Sequence, residues 1–428
     1  MYSIRAVKAR SIFDSRGNPT VECEVKTAFG VFKAAVPSGA STGKREAVEL
    51  RDGEKRFGGL GVSNAVRNIN EILSVAVIGK DCREQKTIDE LLLKEDGTVQ
   101  KSKLGANALL GVSLAVARAG AVAKRKEVWQ YVSELSKRNP CLPVPALNII
   151  NGGKHAGTEI AFQEYQILPV KFKTFEESLS AGVEVFQQLK KNLQKKYGKA
   201  AINVGDEGGF APQMSKVEQP LDEILKAIEG CGYSQEMFIG LDVAASSFAQ
   251  EDGVGKTLYS VEGHKLSGEA LSNEYEAIMN NYPIVSIEDP FAEEDYKSWE
   301  AFFAKFNKKV QILADDLTVS QKIFVEEAIE NKRATALLLK VNQVGTLTEA
   351  LESAKIAFSA DWAVQVSHRS GETNDYFIAD LAAGLGCGQI KSGAPCRGER
   401  LSKYNRLLKI EEEFGLKFAG KSAFPHLK

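Results

Sequence analysis

Six short apolar runs in the second half of the chain each stop at an ionisable residue. IGLD ends in Asp242, VSIED in Glu288 and Asp289, ILAD in Asp315 and Asp316, LLLK in Lys340, QVSH in His368 and QIK in Lys391. From 242 through 288, 315, 340, 368 and 391 the intervals are 46, 27, 25, 28 and 23 residues, mostly the length of one strand plus one helix. Taken singly, each carboxylate reads as a cap for the helix that follows its strand, and Asp289 and Asp316 suit that role as well as any other. Taken together, six such ends at unit spacing describe the mouth of a barrel, where strand ends converge and barrel enzymes carry their chemistry.

Asp242, Glu288 and Asp315 aimed at one spot would repel one another and hold protons instead of ionising. A divalent cation removes that conflict, and an all-oxygen donor set favours Mg2+ or Mn2+ over zinc. Lys340, partly buried beside such a cation, is expected to release its proton more readily and so to serve as a base toward a carbon acid. The metal charge would stabilise the enolate dianion of a carboxylate substrate. Upstream, NVGDEGGFAP (203–212) sets Asp206 and Glu207 in a glycine-rich turn, either solvated or placed as a carboxylic acid on the far side of the substrate. NGGKHAGTEIAFQE (151–164) adds His155 and Glu164. PSGASTGKREA (37–47) lacks the glycine spacing and the Ser or Thr of a phosphate loop, and reads instead as a mobile lid with backbone amides and hydroxyls.

The elements that must position these groups fall into two regimes. RAVKARSIFDS, TVECEVKT and GVFKAAVPS alternate and are bounded by Gly, Pro and Asn, as antiparallel strands are. VSNAVRNINEIL, TIDELLLKED and the segment from Leu104 to Lys126 follow with helical spacing. The prolines between Asn139 and Pro145 mark a boundary, so an α+β domain over 1–138 and a second domain over 139–428 are expected. Beyond the boundary PVPALNII, AFQEYQILPV, AAINVG, MFIGLDV, PIVSIED, VQILAD, ATALLLK, WAVQVSH and GQIKSG alternate with amphipathic segments, which specifies a parallel sheet and, with about eight units, a closed β/α barrel.

Composition is that of an ordinary soluble protein: 428 residues, 43% hydrophobic and 26% charged, with 55 basic against 56 acidic residues for a net charge of -1. That balance offers no electrostatic footprint for nucleic acid or an anionic membrane. Six cysteines form no C-x-x-C pair, so no zinc ribbon or redox motif is expected. ALLGVSLAVARAGAVA (108–123) is broken by Gly111, Ser113 and Arg118 and reads as a buried helix. The start of the chain lacks the apolar core of a signal peptide, and a cytoplasmic location is expected.

These residues together resemble the enolase family. DSRGNPTVE (14–22), VPSGASTG (36–43), KLGANALLGVSLA (103–115), NGGKHAG (151–157), NVGDEGGFAP, IVSIEDPFAE (284–293), LADDLTV (313–319), LLLKVNQVGTLTE (337–349), VSHRSGET (366–373) and QIKSGAP (389–395) carry the resemblance from end to end. It implies an α/β fold in which a small α+β domain caps a modified eight-unit barrel with irregular first units. It implies a Mg2+-dependent glycolytic lyase, a homodimer, that interconverts 2-phosphoglycerate with phosphoenolpyruvate and water. By the same carry-over Lys340 takes the C2 proton, and Glu207 assists departure of the C3 hydroxide with Glu164 and His155 beside it. Gln163 lies next to the substrate. Asp242, Glu288 and Asp315 hold the first Mg2+, Ser41 joins the second, and Mn2+ substitutes. Arg369 and Ser370 grip the phosphate, Ser367 and His368 complete that pocket, and Lys391 binds the carboxylate. Two alternatives stand beside this reading. One is another acid dehydratase or racemase of the superfamily. The other is a recruited, non-catalytic chain that binds plasminogen-type receptors through Lys428, otherwise simply an exposed end.

Overall fold

The computed structural model describes residues 1–39, 45–153, 157–252 and 255–427. Ser41, Lys154, His155 and Lys428, and residues 40–44 of the expected lid, lie outside the described residues.

The first three strands, β1 (Ala6–Phe13), β2 (Pro19–Thr27) and β3 (Gly30–Ala35), form the expected antiparallel meander in the order β1-β2-β3. The helix Ala106–Ala123 packs across it and is buried along nearly its whole length, as its predominantly apolar surface requires. Shorter helices, Gln85–Asp96 and Val128–Ser136, flank it.

Eight strands then close a barrel: β4 (Val144–Asn151), β5 (Glu164–Pro169), β6 (Met237–Asp242), β10 (Ile284–Glu288), β11 (Gln311–Ala314), β12 (Ala336–Leu339), β13 (Ala363–Ser367) and β14 (Gly388–Lys391). Seven of the nine apolar runs supply strands in the expected manner. The second supplies β5, but that strand runs antiparallel to both neighbours, so the barrel is not purely parallel. AAINVG is a correction: Lys199–Ile202 is a 3₁₀ turn with only Ala201 buried, and alanine carries little strand preference. The 46-residue interval between Asp242 and Glu288 hides a second meander, β7 (Ala249–Glu251), β8 (Thr257–Val261) and β9 (His264–Ser267). A polar layer ties strands inside the barrel. Gln311 Nε2 donates to Gln389 Oε1 (2.9 Å) and Ser286 Oγ (3.0 Å), and Gln365 Nε2 also donates to Gln389 Oε1 (3.1 Å).

Candidate active site

The strand-end acids are not helix caps. Ser267, Asp295 and Thr346 cap the helices Gly268–Asn281, Tyr296–Phe306 and Leu347–Ser359 by accepting from Ala270, Ser298 and Glu349 N–H groups. Asp289 caps nothing either. Held at φ 44°, its carboxylate accepts the N–H groups of Asp315 and Asp316, each at 2.9 Å, and so fixes the turn after β11.

Register then brings the freed groups level. Asp242, the last residue of β6, pairs with Glu288, the last of β10, and with Glu164, the first of β5. The reversal of β5 is what puts Glu164 at this end. Ser367 pairs with Lys391, which pairs onward with Ala146 of β4. In the loop after β14, Gly393 has φ +74°, and a Cβ there would lie 2.5 Å from the Glu207 carbonyl oxygen. Glycine lets Ala394 N–H reach that carbonyl at 2.9 Å, docking the GDEGG turn against the mouth.

One buried cavity is lined by Gln163, Glu164, Glu207, Asp242, Asp315, Lys340, Ser367, His368, Arg369, Ser370 and Lys391, together with Glu46, Ala244, Asp289 and Asp316. Glu288 joins through Lys391, whose Nζ lies 2.8 Å from Asp242 Oδ2, 2.8 Å from Glu288 Oε2 and 3.1 Å from Glu164 Oε1. Lys340 Nζ forms an ion pair with Asp315 Oδ2, and Gln343 Nε2 donates to Asp315 Oδ1 at 3.0 Å. Gln163 Nε2 donates to Asp242 at 3.1 Å. The Arg369 guanidinium is turned to Glu46 (3.0 and 3.3 Å) and to Asn342 Oδ1 (3.0 Å). Ser370 Oγ accepts from Arg16 at 3.2 Å, and the Ser367 hydroxyl is turned back to the His368 carbonyl. Asp206 lies in the turn but does not line the cavity.

Burial, the largest influence, lowers the proton affinity of Lys340, but Asp315 and Glu288 pull the other way and the pKa is raised. The expected easing of its proton belongs to the site with a cation beside it. Asp315 is held below the ordinary range because Lys340 overcomes the burial that would raise it. Glu288 is pushed well up by burial and then by Asp242. Asp242 is pushed up by burial and by Glu164, against the pull of Lys391. Glu164, buried and hydrogen-bonded to Glu207, rises to about 7. Asp316 also rises to about 7, from burial and the neighbouring Asp315. The donor set suits a divalent cation: carboxylate oxygens only, buried, mutually repelling and balanced here by lysine ammoniums. Among the described residues, candidate ligand atoms lie within 4.8 Å of one another in two groups, Asp289–Asp315–Asp316 and Glu164–Glu207–His368, which differ from the expected Asp242–Glu288–Asp315 set.

Reading the sequence missed Glu46, Asn148 and Gln343. Asn148 Nδ2 donates to Glu207 Oε2 at 3.0 Å, and Glu46 binds Arg369. Glu46 alone had a signal, as the acid in the REA triplet that closes the lid motif.

Fold and site define a barrel enzyme with a buried acid–lysine mouth beneath an α+β domain. Residues 4–132 match the family model for the enolase N-terminal domain, and 139–426 match that for the enolase C-terminal TIM barrel domain. The chain belongs to the enolase family, and its chemistry is that of the enolase superfamily.

Proposed function

We propose that the protein is a Mg2+-dependent hydro-lyase that interconverts 2-phosphoglycerate with phosphoenolpyruvate and water, as a homodimeric glycolytic enzyme of the cytoplasm. Superfamily sites in general pair a lysine or histidine base with one or two Mg2+ ions; the proposal is the assignment of that scheme to these residues. The observation that carries it is that Lys340 and the Glu164–Glu207 carboxyl pair line one buried cavity.

Lys340 Nζ takes the C2 proton of the substrate, and the electrons of that C–H bond pass into the carboxylate. The C3–O bond then breaks as a proton from the Glu164–Glu207 pair converts the leaving hydroxide to water. With Glu164 raised to about 7, that pair holds a proton near neutrality for the purpose. Asp242, Glu288 and Asp315 would hold Mg2+, which supplies positive charge to the enolate dianion when bound. With its charge shared by a cation, Asp315 would hold the Lys340 proton less firmly. Lys391 orients the carboxylate, and Arg369 and Ser370 the phosphate, once Arg369 leaves Glu46. For the dimer, exposed Phe13 (60%), Val31 (50%) and Tyr376 (42%) support a second copy seated along the edge of the meander, where Phe13, Val31 and Tyr376 line one groove.

The test is the ultraviolet absorbance of the enol product after 2-phosphoglycerate is added, with Mg2+ and then with chelator. Absorbance that rises with the metal and stops on chelation is expected. No signal with either, or turnover of a non-phosphorylated acid instead, would overturn the proposal.

A further inference from the structure

The proposed chemistry makes no use of Arg400, yet this side chain governs His368. It stands in the first turn of the helix Gly398–Phe414 and is fully buried. Its Nη1 sits 2.7 Å from His368 Nδ1 and donates to the Arg369 carbonyl at 2.7 Å. Its Nη2 donates to the carbonyls of Asp206 at 3.0 Å and Ser370 at 2.6 Å. One guanidinium therefore ties the backbone of the substrate-facing loop 368–370 to the turn that carries Glu207.

A guanidinium has five N–H donors and no acceptor. At 2.7 Å, His368 Nδ1 must be the acceptor, so that nitrogen carries no proton. The neutral ring then has its single proton on Nε2, the nitrogen 3.9 Å from Glu207 Oε1. Burial, and then the charges of Arg400, Lys391 and Lys340, push the proton affinity of this ring well below that of an ordinary histidine.

We propose that Arg400 is a positioning residue that locks His368 as a neutral Nε2–H donor facing the Glu164–Glu207 pair, a fixed hydrogen-bond donor and not a proton shuttle. The catalytic meaning of the lock rests on the function proposed above, whereas the lock itself is a property of the free protein. It leaves the carboxyl pair as the carrier of the mobile proton on this side of the cavity.

The experiment is 15N NMR of histidine-labelled, full-length protein without substrate. The chain has four histidines, and His368→Gln assigns the signal. The expected spectrum shows a bare Nδ1 and a protonated Nε2, unchanged across pH ~5 to ~8, where an ordinary histidine titrates. A proton on Nδ1 of the assigned ring, or an ordinary titration, overturns the proposal whether or not an Arg400 variant folds. Arg400→Met should release the ring to titrate or to exchange tautomers, and should lower kcat roughly 10–100-fold, as loss of an orienting partner does for ligating histidines, with KM changed less. Arg400→Lys, which keeps one donor, should retain the Nε2–H signature and recover part of kcat. A folded Arg400→Met protein with an unaltered ring would also overturn the lock. Because the spectrum needs no turnover, a failed lyase assay and a failed lock are separate results.

Discussion

The molecule carries two networks built from the same kinds of groups in opposite surroundings. On the meander, Arg10 bridges Glu22 and Glu24, and Lys33 reaches Glu24 at 2.9 Å, with the Arg10 side chain 39% exposed. At the barrel mouth, Lys391 bridges Glu164, Asp242 and Glu288 with its side chain 3% exposed. Water already solvates the first set, so its ion pairs contribute little. The second set has been stripped of water, and each member depends on the others for its charge. A fold stabilised by packing alone would fill that space with apolar side chains. The contrast teaches that the mouth is kept charged for chemistry, at a cost in stability.

The comparison is broken most severely by Lys391→Met, which leaves three buried acids without their cation. Destabilisation of about 3–5 kcal/mol in urea unfolding is expected, with turnover lost. The defect should shrink in acid, where those carboxyls protonate; equal destabilisation at all pH values would mean that the ammonium acts as packing. Lys340→Ala leaves buried Asp315 without its ion-pair partner and so should also cost stability, and it should lower kcat by about 10²–10⁴-fold, the usual contribution of a positioned acid or base. Normal turnover in that variant would remove Lys340 from the mechanism.

Asp89 sharpens the contrast, because it is buried like the mouth acids but is satisfied by neutral donors: Gln85 Nε2 (3.0 Å) and the N–H (3.0 Å) and hydroxyl (2.6 Å) of Thr348. Burial raises its pKa from 3.8 to about 6. Between those values the folded state binds more protons than the unfolded chain, so stability falls as pH rises from about 4 to about 6. The loss attributable to this one group is ~3 kcal/mol at ~1.4 kcal/mol per unit, and Asp89→Asn should remove that slope from a pH series of unfolding curves. At the small end, Arg10→Ala should leave the thermal midpoint where it is. A large drop would show that the meander network is not the solvated surface its exposure indicates.

Which parts were legible follows from where the information lies. The acids and lysines at the ends of β6, β10, β11, β12 and β14 were readable because a short apolar strand that stops at a charge is a local pattern. Glu164 was not readable that way. It begins β5 instead of ending it, and a reversed strand delivers its first residue to the mouth, so the segment 151–164 offered it as a candidate and only the family resemblance gave it a role. The meander of residues 249–267 lay hidden inside one long interval. Asn148 and Arg400 are set among ordinary strand and helix residues and meet Glu207 and His368 only in three dimensions. The ion pair of Lys340 with Asp315 was not readable either, because the two residues lie 25 apart in sequence and meet only where neighbouring strands end.

The order of the strands has a consequence for how the ring is assembled. Glu164, Asp242 and Glu288 come from β5, β6 and β10, strands that neighbour one another in the sheet. Their ammonium, Lys391, lies 103 residues beyond Glu288 on the last strand, which also pairs with the first to close the circle. Distant pairings of this kind carry the largest loop-closure cost and set the pace of folding. Closure and neutralisation are therefore a single event: a chain that has laid down the three acid-bearing strands stays self-repelling until its end arrives. Trimming the polypeptide before β14 would leave an open sheet with its charges unanswered, not a smaller working barrel.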